Sequence, residues 1–158
     1  MASTPYPAHL NRACSPQLRE EVAFFQQWGY LIVDDALTSK QVDALRTALD
    51  VTFAQSDEQF IHQLLECDEA FAFLLDNPPV FSRMKAILGE CVQLHSATAR
   101  VTLPSEKDQN WHRDVPWPVA PEGTPYGAIP GQINCGYYLD ELSEENGPIV
   151  IVPGSQRV

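Results

Sequence analysis

Two side chains able to ligate a metal stand two residues apart, at His112 and Asp114, inside the stretch Trp111-His112-Arg113-Asp114. In an extended segment, residues i and i+2 project to the same side. An imidazole nitrogen and a carboxylate oxygen are then presented to one ion. That is two-thirds of a 2-His-1-carboxylate arrangement, which holds iron on one face and leaves its other positions open. His-x-Asp alone is a common chance pattern, and the same residues would equally serve as an imidazole whose tautomer a carboxylate fixes. Arg113 points away from the pair in an extended segment and reads as a surface ion-pair partner.

The elements that must position this pair fall into two textures. Ser15-Pro16 predicts a helix start, with a hydroxyl cap and proline at the first helical position. Leu18, Val22, Phe25 and Trp28 follow at helical spacing, and Gly29 suits the end. Tyr30 to Val33 reads as a short strand. Thr38 and Gln41 form a capping-box signature ahead of Val42, Leu45, Leu49 and Phe53 on one helical face. Phe60, Ile61, Leu64 and Leu65 suggest a short helical piece, followed by Phe71 to Leu75. Asn77-Pro78-Pro79 stops that piece, and Val80, Phe81, Met84, Ile87 and Leu88 make a last amphipathic helix ending at Gly89. Beyond it, Cys91 to Leu103 is rich in β-branched residues and reads as a strand, as do Gln132 to Leu139 and Ile149 to Val152. The proline-rich stretch from Pro104 to Pro130 is a loop region, and Glu144-Glu145-Asn146-Gly147 is a turn. Helices first and strands afterwards point to an α+β fold.

Composition narrows the function classes. At 158 residues and 44% apolar content the chain has the size and the means for one packed domain. No segment reaches the roughly 18 uninterrupted apolar residues of a membrane span, and the N-terminus lacks the pattern of a secretory signal. A cytoplasmic protein that binds no membrane is expected. Twenty-one acidic against ten basic residues give a net charge of −11, which repels phosphate backbones and argues against nucleic acid as a partner. A polyanionic substrate would need a basic cluster that the sequence does not display. The four cysteines, Cys14, Cys67, Cys91 and Cys135, contain no CxxC pair. They read as isolated thiols used as small apolar side chains rather than a zinc site or disulfide framework.

Several landmarks around the pair resemble the phytanoyl-CoA dioxygenase family of 2-oxoglutarate-dependent oxygenases. Phe24-Phe25-Gln26-Gln27-Trp28-Gly29-Tyr30-Leu31-Ile32-Val33-Asp34-Asp35 is similar to the family's first helix running into a Gly-Tyr segment. Trp111 to Asp114 looks like its WHxD iron motif. Leu139-Asp140-Glu141 through Glu145-Asn146-Gly147-Pro148 and then Val152-Pro153-Gly154-Ser155 look like its LDD…ENGP turn and VPGSH segment. Their order is the family's order, and together they cover most of the chain.

The resemblance implies a double-stranded β-helix, or jelly-roll, core preceded by helices. Residues 1–14 would be a tail, 15–90 mainly helical, and 91–158 the start of the jelly roll. It implies Fe(II) held by His112 and Asp114, with 2-oxoglutarate and O2 as cosubstrates and a small or lipid-like organic molecule as substrate. The reaction would couple oxidative decarboxylation of the keto acid to hydroxylation. Related halogenases carry a small residue in place of this carboxylate, so Asp114 favours hydroxylation. The family's keto-acid pocket maps to Asn134, with Thr102 a further candidate there, while Thr98 and Trp117, with Tyr126, are candidates for the substrate wall. The resemblance places the distal histidine and the arginine that pairs with 2-oxoglutarate beyond Val158, and neither His9, His62 nor His95 takes that histidine's place. The expectation is therefore an incomplete jelly roll that does not turn over alone. A non-catalytic binding module derived from the same family is the competing expectation, and a zinc or manganese cupin-like protein a third. Gln156 stands where the family's PGSH segment has histidine.

Overall fold

A computed structural model describes residues 14–104, 106–112, 114 and 131–157. Its helices begin and end where side chains satisfy orphan backbone groups. Helix α1, Pro16–Trp28, is capped by the Ser15 hydroxyl, which accepts from Leu18 N, and closed by Gly29 in the left-handed region. Gly29 donates its N–H to the Phe25 carbonyl at 2.7 Å. Helix α2, Ser39–Ala54, opens on the complete Thr38–Gln41 capping box. Helix α3, Pro78–Leu88, starts at the very prolines that end the preceding segment, since proline at the first helical position loses no hydrogen bond.

Between α2 and α3 the chain is not helical in the manner the sequence suggested. Phe60–Ile61 is instead a strand, β1, while Leu64–Glu66 and Glu69–Leu75 are helical, as expected, but of the tighter 3₁₀ kind. The partner of β1 is β2, Ala99–Arg100, paired antiparallel with Phe60 opposite Arg100 and Ile61 opposite Ala99. Two further backbone bonds, Leu64 N to Ala97 O and Val101 N to Gln59 O, both 3.0 Å, extend this ladder at each end.

The other expected strands are extended without a ladder. Among the described residues, Tyr30 to Val33, Gln132 to Leu139, Ile149 to Val152 and Cys91 to Ser96 pair with no neighbouring strand. Alternation dictates an extended backbone, but a strand also needs a neighbour to take its N–H and C=O groups. The α+β class therefore holds at the level of three helices and a two-stranded sheet among the described residues.

Two apolar clusters hold the helical layer together. Leu45, Ala48, Ile61, Leu64 and Phe71 form one, and Val22, Ala86 and Ile87 form the other. Glu21 and Arg83 join α1 to α3 through a largely buried ion pair of 2.7 Å. The cysteines are free, as expected, but Cys67, Cys91 and Cys135 are exposed and do not serve as core side chains. Among the described residues no helix is long and apolar enough to cross a membrane.

Candidate metal centre

The backbone reaches His112 by way of a tight turn after β2. Glu106 N donates to the Leu103 carbonyl at 3.1 Å, and the Glu106 carboxylate accepts from Leu103 N at 3.2 Å and from the Arg100 guanidinium. The backbone bond first, and the Arg100 bond second, hold the Glu106 carboxyl below the usual range. Six residues on, His112 Nδ1 lies 2.8 Å from the Asn110 carbonyl. A carbonyl can only accept, so Nδ1 carries a proton, and the tautomer this contact favours is the one whose lone pair lies on Nε2. That nitrogen faces Asp114 Oδ1 at 3.6 Å, with both side chains more than half exposed.

From the other side comes the segment Gln132 to Asp140, whose alternation sorts its side chains. Ile133 packs against the Val22 cluster, and Leu139 against the Leu45 cluster. Tyr137 reaches the buried Asn77, whose amide donates to the Ala36 carbonyl at 3.0 Å and to the Tyr137 hydroxyl at 3.4 Å. Burial there pushes the Tyr137 phenol upward. Arg46 fixes the segment's end, donating to the Leu139 carbonyl and pairing with Asp140 at 2.9 Å. With 133, 137 and 139 turned to the helices, residues 132 and 134 project to the opposite face. There Asn134 Nδ2 donates to Asp114 Oδ2, and Gln132 Nε2 donates to Asn134 Oδ1 at 3.0 Å.

The structure thus gathers His112, Asp114 and Asn134, three of the residues singled out in the sequence. Thr98 and Thr102 are exposed. Thr102 lies instead beside the Asn-Gly turn, where a Cβ on Gly147 would come within 3.3 Å of its methyl group. Trp117, Tyr126, Arg113 and His9 lie outside the described residues. His62 is exposed with its ring 4.7 Å from that of Phe60, and His95 is exposed beside Ser96. Two clefts, one between Thr38, Gln41 and Phe73 and one between Arg46, Asp50, Arg100 and Asp140, do not border the pair. Sequence reasoning missed Gln132 and the Asn110 carbonyl. The shared parity of Gln132 with Asn134 was the available signal for the first.

In the neutral ring Nε2 and Oδ1 are both acceptors, and either a cation or a proton between them satisfies the arrangement. Ligand atoms held at about 2.0–2.2 Å by one divalent ion stand roughly 3–4 Å apart, depending on the angle. The observed 3.6 Å fits that range. Imidazole with carboxylate suits a first-row ion. Among the described residues, no group of three or more His, Cys, Asp and Glu side chains converges, so His112 and Asp114 stand as a pair.

The sequence model of the family described as Phytanoyl-CoA dioxygenase (PhyH) matches residues 25–158. Among curated proteins, an ectoine dioxygenase of Halomonas elongata is 24% identical over 165 aligned residues, covering 92% of this chain and 48% of that protein. An L-proline trans-4-hydroxylase of Streptomyces griseoviridis is 29% identical over 98 residues, 61% of this chain and 35% of that protein. A probable alpha-ketoglutarate-dependent hypophosphite dioxygenase of Stutzerimonas stutzeri is 28% identical over 89 residues, 56% of this chain and 29% of that protein. The chain spans about half the length, or less, of these curated relatives. No solved structure matches it.

Proposed function

This chain belongs to the phytanoyl-CoA dioxygenase family, and on that premise we propose that it carries two iron ligands, His112 and Asp114, of an Fe(II)- and 2-oxoglutarate-dependent dioxygenase. The observation that carries this reading is the pair itself: Nε2 and Oδ1 at 3.6 Å, with Nδ1 committed to the Asn110 carbonyl. When bound, iron would supply O2 activation coupled to decarboxylation of the keto acid. The chain's own residues do the positioning. Asn110 holds the imidazole in the tautomer that can ligate, and Asp114 brings the negative charge that favours a divalent cation. The third ligand of the facial set and the partner of the 2-oxoglutarate carboxylate would come from outside the residues described.

Around this centre we place a jelly-roll core beginning near residue 91, behind a helical layer at 15–90 and a tail at 1–14. The names of the relatives point to small molecules, namely ectoine, proline and hypophosphite. They support a small substrate over a lipid-like one, and hydroxylation as the reaction. Thr98 and Trp117 are proposed on the substrate side and Thr102 on the cosubstrate side. A cytoplasmic location and the absence of nucleic-acid or membrane partners follow from the acidic charge and the lack of long apolar segments, and belong to the same proposal.

Anaerobic addition of Fe(II) and 2-oxoglutarate to a protein that carries this chain together with the proposed third ligand and 2-oxoglutarate partner is expected to give a weak visible charge-transfer absorption. His112→Ala and Asp114→Ala should each remove it. Persistence of the band in His112→Ala overturns the assignment.

A further inference from the structure

Asn134 is the side chain that ties the metal pair to the rest of the fold. Its amide sits between two partners of different character. On one side it meets Asp114 Oδ2 and on the other the Gln132 amide, 3.0 Å away. An ionised carboxylate only accepts, so the atom against it must be the Asn134 NH2 group. The Asn134 carbonyl oxygen is then the acceptor for Gln132. The chemistry of the partners fixes the orientation of the amide.

The consequence for Asp114 is directional. With Oδ2 held by a donor, Oδ1 is the oxygen turned toward His112 Nε2. One oxygen held and one free favours ligation through a single oxygen, which conserves open positions on an ion. The donor is also neutral. A lysine or arginine in its place would hold the carboxylate equally well but would repel the incoming cation. Asn134 itself is anchored through its neighbours, because Ile133, Tyr137 and Leu139 bind the same extended segment to the two helical clusters.

We propose that Asn134 is a positioning residue that sets the orientation of the Asp114 carboxylate toward the metal, with Gln132 setting Asn134, and that it is not a direct contact of the keto acid. This rests on the reading of His112 and Asp114 as ligands and deepens it. Partners of this kind typically change metal affinity by about 10–100-fold when removed. The exposure of the site places the expected effect near the lower figure.

The test titrates Mn(II) into the protein, follows free Mn(II) by electron paramagnetic resonance, and then measures 2-oxoglutarate binding to the Mn(II)-saturated protein. Asn134→Ala and the near-isosteric Asn134→Leu should each weaken Mn(II) binding roughly tenfold. Gln132→Ala should weaken it by a smaller factor. The thermal midpoint should hold, and 2-oxoglutarate affinity at saturating Mn(II) should be unchanged. Should the Asn134 variants keep wild-type Mn(II) affinity while His112→Ala loses it, the positioning role fails and the ligand pair stands. The same conclusion follows if they lose 2-oxoglutarate binding alone. A protein that takes up no Mn(II), or takes it up equally well as His112→Ala, overturns the ligand reading itself and this inference with it.

Discussion

Among the described residues, every buried apolar side chain lies within residues 16–88 and none within 91–157, although the first stretch also exposes some, Ile32 most of all. In the first stretch Val22, Leu45 and Phe71 are 0%, 1% and 1% exposed, each closed in by a neighbouring element. In the second, Leu94, Val101, Tyr138 and the whole run Ile149 to Val152 stand open, Ile149 and Val150 by about two-thirds at 64% and 65%. The difference follows from what each kind of element needs. A helix satisfies its interior backbone groups internally and asks only that one face be covered. An extended segment needs a neighbour along each edge and a layer on its buried face. Short-range signals therefore complete the helical stretch, while the extended stretch depends on a few long-range anchors, and His112 and Asp114 belong to the extended one.

The sharpest way to break this division is to remove an apolar side chain from each stretch. Phe71→Ala should destabilise the protein by about 3–5 kcal/mol, through lost transfer energy and the cavity left behind. Val150→Ser should stay within about 0.5 kcal/mol, as an exposed site distant from any cap or network does. Urea unfolding monitored by circular dichroism measures both. Equal losses at the two positions would mean that the extended stretch is packed after all.

A smaller effect is expected where the two stretches touch. Gly154 N donates to the Trp28 carbonyl at 2.8 Å, and Gln156 Nε2 approaches the carbonyls of Gln26 and Gln27 at 3.3 Å each. The extended stretch thus caps the last turn of α1 from outside. Gly29 makes this possible: its φ of +83° lies in the left-handed region, and a Cβ there would run into Gln156 Oε1 and lie 2.7 Å from its Cδ. Gly29→Ala should therefore cost about 1–2 kcal/mol for the left-handed backbone alone, plus the displaced amide. In a Gln156→Ala background the extra part should vanish. A double-mutant cycle on thermal unfolding reads that coupling, and strictly additive effects would show that Gln156 does not cap α1.

How much was legible in the sequence follows the same line. The Ser15 cap, the Thr38–Gln41 box and the Gly29 ending are contacts between residues three or four apart, and each is present. Phe60 and Ile61 were misread as helical because their strand character comes from Ala99 and Arg100, about forty residues away, which local periodicity does not register. Asn77 looked like a breaker, yet its buried side chain links Ala36 to Tyr137. At the candidate site, residue types and i, i+2 spacing were enough to single out His112 and Asp114, which the structure brings side by side. Parity puts Asn134 on the face away from the helices once Ile133 and Leu139 are known to face them, but its meeting with Asp114, twenty residues away, is a long-range contact. Gln156 was legible only as a departure from the family's PGSH segment, and its capping role needed the end of α1 in three dimensions.

The smallest expected effect concerns the turn that leads from β2 toward His112. The Glu106 carboxyl is held below the usual range, first by the Leu103 backbone N–H and then by Arg100. A carboxyl with a depressed folded-state pKa contributes stability that is fully present above its unfolded value, about 4.3. That contribution is lost as pH falls through the folded value. Wild type should therefore melt above Glu106→Gln near neutral pH, and the gap should narrow steadily on acidification from about pH 5. Because the backbone bond is the larger cause, most of the gap should survive about 0.5 M salt, which screens the exposed Arg100 charge. A gap that collapses in salt at neutral pH would assign the depression to Arg100 instead, and a gap indifferent to pH would remove Glu106 from the turn's stability altogether. Either result would leave the helical stretch untouched, since the Leu103–Glu106 turn belongs wholly to the open side of the molecule.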